Sequence, residues 1–136
     1  MTPLHLALQK KYFGHRILIL GFAREGESTY RFLRECFPHQ DITVADKTRP
    51  DLSTFQDAHL FYDPVFESHL DHYDVIFKTP AIARTQPILQ EFEAAGKNLT
   101  SQLNEFLHVY RSQIIGVTGT KGKSTTSSLI AHILRE

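Results

Sequence analysis

The fold of this chain turns on RILILGFAREGEST, residues 16–29. Residues 16–20 make a short apolar run ending at Gly21, the pattern of a strand buried on both faces of a parallel sheet. Helical periodicity follows over about 26–36, with Tyr30, Phe32, Leu33 and Cys36 as its apolar positions. Between the two, GFAREG (21–26) has the outline of the dinucleotide fingerprint G-x-G-x-x-G, with Ala23 in place of the middle glycine. That glycine lets backbone approach a pyrophosphate, so Ala23 weighs against NAD. Gly21 and Gly26 still permit a tight turn into a helix whose free N–H groups and dipole attract an anion. A plain strand-to-helix turn is the competing reading.

Outward from this unit, strands alternate with helices. DITVAD (41–46), AHLFY (58–62), YDVIFK (73–78), NLTS (98–101) and QIIGVT (113–118) read as strands. PILQEFEAAG (87–96) reads as a helix with Pro87 in its first turn and Gly96 as its stop. LNEFLHVYR (103–111) and a stretch from about Lys123 read as two more. The alternation implies an α/β fold, a Rossmann-like and mostly parallel sheet with helices on both faces and right-handed crossovers. Leu4, Leu6, Leu8, Tyr12 and Phe13 are expected to pack on that sheet.

Composition narrows the class. Fifteen Lys plus Arg balance fifteen Asp plus Glu, so no basic field points to nucleic acid or an anionic membrane as a partner. The single cysteine, Cys36, excludes an intrachain disulfide framework and fits a reducing cytoplasm. Its place beside Phe37 in a helical pattern makes it a packed thiol. No apolar run approaches the roughly 18 residues that span a bilayer, and the N-terminus has no signal-peptide pattern. His69 and His72 lack a third metal ligand and read as a solvated pair near Asp71 and Asp74. Ser28, Ser53 and Ser68 have no nucleophile-elbow context.

In open α/β sheets, ligands sit at the carboxyl ends of strands. Three such ends are chemically suggestive here. One is the loop Gly21, Phe22, Ala23, Arg24, Glu25 and Gly26. The second is Asp46, where an acid accepts hydrogen bonds from ribose hydroxyls, with Lys47 and Thr48 in reach of a phosphate or a base edge. A turn-capping acid is the alternative. The third is KTPAIA (78–83), with Thr79, Pro80 and Ala81.

TGTKGKST (118–125) carries the strongest signal, because it follows an apolar run and opens a helical stretch. Successive N–H groups of Gly119, Thr120, Lys121 and Gly122 can form an anion nest. Lys123 would reach the β- and γ-phosphates of ATP and stabilise the transferred group, the Ser124 hydroxyl would ligate Mg²⁺, and Thr125 completes the set. Val117 stands where a strict Walker motif has its first glycine.

In this order and spacing the segments resemble the Mur ligases of peptidoglycan synthesis. The likeness is nearest to the MurD type, which joins D-glutamate to UDP-N-acetylmuramoyl-L-alanine. ILILGFAREGEST resembles the family's first loop, and VADKT the segment that contacts the uridine nucleotide. DVIFKTPAI resembles its Asp-x-Ile-x-x-Ser-Pro-Gly-Ile stretch, LTSQLNEFL the segment after it, and GVTGTKGKSTT its ATP loop. The resemblance covers nearly all of residues 16–136. Ala23 and Ala81 stand where the family usually has glycine, Gln102 and Asn104 where it is often acidic, and Lys121 where it commonly has Asn.

The resemblance implies a UDP-substrate-binding domain over residues 1–112. It also implies the start of a central ATP-binding domain over 113–136, with the remaining machinery beyond Glu136. The whole enzyme would use ATP and Mg²⁺ to form an acyl phosphate on the L-alanine carboxylate, which the D-glutamate amine attacks. The segment alone would bind nucleotide without catalysing. Its tail is expected to dock on its own first domain or on a second copy, giving self-association. Three alternatives stay open: a MurC-like sibling, a non-catalytic Rossmann nucleotide module, and an interaction domain with a vestigial phosphate loop.

Overall fold

Strand β1 (Ile17–Leu20) is the axis of the fold in the computed structural model, which describes residues 1–136. It pairs in parallel with β2 (Ile42–Ala45) on one side and β4 (Val75–Lys78) on the other, four residues deep each time. Edge strands β3 (Leu60–Tyr62) and β5 (Asn98–Thr100) extend the sheet to the order β3-β2-β1-β4-β5, every pairing parallel. All four β1 residues are buried, which is why the run is apolar without alternation. The strand period of two sorts its side chains between two cores. Ile17 and Ile19 join Ile42, Val44, Val75 and Phe77 on one face, while Leu18 and Leu20 join Ile76 and Leu99 on the other.

Helices α1 (Pro3–Tyr12), α2 (Arg24–Cys36) and α4 (Gln102–Tyr110) contribute to the first core. The second is closed by α3 (Pro87–Ala94) and the 3-10 segment Phe66–His72. Thr2 caps α1 in a reciprocal box with His5, and Pro3 pre-sets its first turn. Leu4, Leu8 and Tyr12 then recur at the helical spacing of four and are buried. Leu6 and Phe13 are not: they are 56% and 80% exposed. The expectation that all five N-terminal apolar residues reach the sheet fails because Leu6 lies on the far side of the helix and Phe13 follows its last turn.

One buried carboxylate fastens α1 to α4. Glu105 accepts hydrogen bonds from the Tyr12 hydroxyl at 2.7 Å, the Thr100 hydroxyl at 2.8 Å and the Lys11 ammonium at 3.0 Å. Burial pushes the Glu105 carboxyl up, but these three donors outweigh it and hold it below its usual range. Burial, with Glu105 alongside, pushes the Tyr12 phenol well above its own.

Beyond the 3-10 turn Arg111–Gln113 the tail departs from expectation. Residues 113–118 form no strand, although their composition suits one. A strand needs a neighbour to take up its N–H and C=O groups, and this run pairs with neither edge strand, β3 nor β5. Helix α5 (Lys123–Ile133) does form, but it contains no buried residue. No residue of 113–136 is buried, so the expected docking of the tail on its own first domain is absent.

Candidate functional site

From β1 the chain runs outward to β2 and β3 on one side, then returns to β4 and β5 on the other. The reversal makes the β1/β4 boundary a switch point, with a crevice above the carboxyl ends of the strands. The Gly21 N–H donates to the Ala45 carbonyl at 2.8 Å and the Thr79 N–H to the Leu20 carbonyl at 3.0 Å, so the end of β1 is fixed from both sides. Gly21 has φ +89°, and a Cβ there would collide with the Thr79 hydroxyl. A Cβ on Gly26 would collide with the Gly21 carbonyl. The two glycines are therefore what lets α2 start directly against the strand end. Ala23, its N-cap, offers no side-chain cap, which leaves first-turn N–H groups available to an anion. Glu25 and Glu27 put negative charge in the same turn, with which an anion has to compete.

Asp46 ties the second strand end to the first. Its Oδ2 accepts the Phe22 N–H at 2.5 Å and its Oδ1 the Thr48 N–H at 3.3 Å. A carboxylate offers about four lone-pair sites, so acceptor capacity remains for a ligand hydroxyl or N–H.

A cleft of about 630 Å³ opens over these ends. Of the residues singled out in the sequence, Gly21, Ala23, Asp46, Lys47, Thr79 and Ala81 line it. Glu25, Thr48 and Pro80 do not line it, and Gly26 packs beneath Gly21. Phe22 turns into the core, its ring 5.5 Å from that of Phe55 and 6.1 Å from that of Tyr30. Arg24 lies beside a separate groove of about 360 Å³ with Arg31, Glu35 and Gln102. Leu20, residues 64–68, Ile82 and Gln86 complete the cleft. Ile82 belongs to the KTPAIA strand end read from the sequence, whereas residues 64–68 and Gln86 were given no binding role there. A signal was present: Asp63, like Asp46, is an acid placed directly after an apolar strand.

His69 is not half of a solvated pair. Its ring lies 5.0 Å from that of His72, but its Nε2 is 2.6 Å from the buried Asp63 carboxylate. Asp74 pairs with Arg16 at 2.8 Å instead, and the Arg16 guanidinium holds its carboxyl well below the usual range. No group of three or more His, Cys, Asp and Glu is placed to hold a metal ion.

A second cleft, about 670 Å³, lies at the opposite ends of the strands among Gln9, Phe13, Gly14 and residues 36–40. It is as roomy but chemically poor. Burial pushes the Cys36 thiol there up to about 11, so it is a packed, inert group as its sequence context suggested.

The phosphate-type loop stands apart from both clefts. Gly119 and Gly122 take φ +146° and +78°, and Gly122 caps α5. Lys123 Nζ donates to the Gly119 carbonyl at 2.5 Å, a partner with which a phosphate would compete. Thr120, Lys121, Ser124 and Thr125 are exposed. No residue of this loop lines the strand-end cleft.

No family model matches the chain. Curated relatives do. Over 125 residues it is 34% identical to the UDP-N-acetylmuramoylalanine–D-glutamate ligase of Leptospira interrogans, covering 90% of this chain and 26% of that protein. Over 133 residues it is also 34% identical to the UDP-N-acetylmuramoyl-L-alanine–L-glutamate ligase of Xylella fastidiosa, covering 90% and 28%. Identity to the D-glutamate ligase of Clostridium botulinum is 39% over 67 residues, 49% of this chain and 15% of that protein. The chain spans about a quarter of the length of the first two relatives.

Proposed function

The chain belongs to the Mur ligase family, and from that premise we propose that residues 1–112 hold the uridine diphosphate end of UDP-N-acetylmuramoyl-L-alanine. The observation that carries this reading is the convergence of Gly21, Asp46 and Thr79, three separate strand ends, on one cleft at the switch point. The open first turn of α2 and the Lys47 ammonium attract the diphosphate. Asp46 accepts a hydrogen bond from the nucleoside with the capacity left after Phe22 and Thr48. The Thr79 hydroxyl fixes the third side.

Residues 113–136 are, in this reading, the opening of an ATP-binding unit. The N–H groups of residues 119–122, the Lys123 ammonium and the Ser124 and Thr125 hydroxyls form a donor set suited to ATP with Mg²⁺. When bound, the Mg²⁺ would neutralise phosphoryl charge. Lys123 would leave the Gly119 carbonyl for a phosphate oxygen and do the same from the protein side. The ligase as a whole transfers the γ-phosphoryl group to the L-alanine carboxylate. The glutamate amine then displaces phosphate, forming the amide and releasing ADP and phosphate. D-glutamate is the acceptor in this reading, and a cytoplasmic location accompanies it. No helix is long and apolar enough to cross a membrane.

Calorimetry on this chain tests the substrate. UDP-N-acetylmuramoyl-L-alanine and UDP should both bind, and Asp46→Ala should weaken both alike. Tighter binding of NAD than of UDP would favour a dinucleotide module, and no heat at millimolar UDP would contradict the reading. ADP release by the longer ligase with D- and with L-glutamate decides the acceptor.

A further inference from the structure

Asp63 is 8% exposed and lies directly after β3, whose ladder it prolongs by donating its N–H to the Val44 carbonyl at 2.9 Å. Its carboxylate accepts three hydrogen bonds: from the Val65 N–H at 3.0 Å, from His69 Nε2 at 2.6 Å and from the Tyr73 hydroxyl at 2.5 Å. Because a carboxylate only accepts, His69 carries its proton on Nε2. Both ends of residues 64–68 are thereby fastened to a single side chain, and Tyr73 anchors that side chain to the start of β4. The same five residues line the strand-end cleft.

The wall's other ties are the Ser68 N–H and hydroxyl donating to the Val65 carbonyl at 2.9 and 2.8 Å, which lie within the wall itself, and Phe66 packed half-buried on the second core. None of residues 64–68 is buried, and the 3-10 segment they enter is broken at His69. A loop with few buried contacts belongs to the least stable part of a fold unless it is pinned. Burial raises the Asp63 carboxyl, but the Tyr73, Val65 and His69 donors outweigh it and keep it below its usual range, hence ionised at neutral pH.

We propose that Asp63 is a positioning residue for the cleft: through Val65, His69 and Tyr73 it keeps residues 64–68 as a preformed wall, and so sets nucleoside diphosphate affinity without touching the ligand. The inference rests on the cleft being the uridine diphosphate site. A pinned wall removes an ordering cost from binding.

The test combines amide hydrogen exchange with UDP titration on the full chain for the unsubstituted protein, Asp63→Asn, His69→Ala and His69→Gln. Asp63→Asn and His69→Ala should speed exchange at Val65. They should also weaken UDP by about tenfold, the effect of losing one hydrogen bond of ordinary strength. Protection of the β1 and β2 amides should stay unchanged. His69→Gln keeps an N–H donor and should recover most of the affinity. Unaltered UDP affinity in Asp63→Asn and His69→Ala overturns the inference alone. So does a collapse of β1 and β2 protection, which would make Asp63 a determinant of the whole fold. Equal losses in His69→Ala and His69→Gln would trace the effect to ring packing and overturn it as well. Failure of the unsubstituted chain to bind UDP removes the reading of the cleft, and the inference with it.

Discussion

Residues 17–36 and 114–133 follow one sequence plan, an apolar run, a glycine turn and a helix, yet the fold treats them differently. In the first, β1 is buried between two parallel neighbours, and both glycines are pressed against other atoms. In the second, the run is no strand, Ile115 is 61% exposed, and nothing lies within 4 Å of where a Gly122 Cβ would be. A glycine turn and a helix are local and form in both places. A strand is not local: it exists only where another strand accepts its hydrogen bonds.

Alanine at matched glycines should separate the two units most sharply. Gly26→Ala drives a methyl group into the Gly21 carbonyl and should cost about 3 kcal/mol, the upper end of ordinary overpacking. Gly122→Ala meets only the left-handed backbone penalty of about 1–2 kcal/mol, and that within the tail. Its denaturant midpoint should equal that of the unsubstituted chain. Equal losses from both substitutions would erase the distinction.

Truncated leucines come next. Leu33 is fully buried on α2, and Leu33→Ala should destabilise by about 2–5 kcal/mol. Leu129 on α5 is 58% exposed, and Leu129→Ala should stay within about 0.5 kcal/mol. Urea unfolding of the pair measures both.

Acid sharpens the boundary at α4, the last helix packed on the body. The Glu105 carboxyl is held below its ordinary 4.5 in the folded chain, so its contribution is complete above about that pH. It is lost as pH falls through the lower folded value. Glu105→Gln should lower stability at neutral pH by about 1–3 kcal/mol, the cost of disturbing a buried network. It should also flatten the decline of the urea midpoint below pH 4.5. A decline as steep as in the unsubstituted chain would assign it to other carboxylates.

Deleting residues 113–136 should change the stability of the body by no more than about 0.5 kcal/mol, since the deletion removes no buried residue. Light scattering on the same pair of proteins reads association. Loss of self-association on deletion would assign it to the exposed apolar side chains of the tail, Ile114, Ile115, Leu129, Ile133 and Leu134.

Much of this architecture was legible because short-range physics wrote it. The fully buried β1, the Asp46 strand end and the Pro87 and Gly96 bounds of α3 all announce themselves within a few residues. The order of the strands does not, since pairing joins residues such as Ile17 and Val75 that lie far apart in the chain. Phe22 reads as a loop residue but fills the core, and Arg24 lies by another groove, because which way a loop side chain turns depends on neighbours such as Phe55. The 64–68 wall was only partly legible for a related reason. Asp63 stands after an apolar strand as Asp46 does, but its partners His69 and Tyr73 belong to no recognised motif, so the shape they hold could not be read from the sequence. QIIGVT misled because an apolar run states a preference for burial, not the presence of a partner.

The central claim is that the β1 unit binds nucleotide while the 114–133 unit, lacking its sheet, does not do so tightly. A paired titration followed by amide NMR shifts on one sample tests it, first with UDP and then with ATP and Mg²⁺. UDP should move the Gly21, Ala23, Asp46, Thr79 and Ala81 amides at the lower concentration, and ATP should move only residues 119–125, at a higher one. Saturation of the 119–125 loop by ATP while UDP leaves the strand-end amides unmoved would contradict the account.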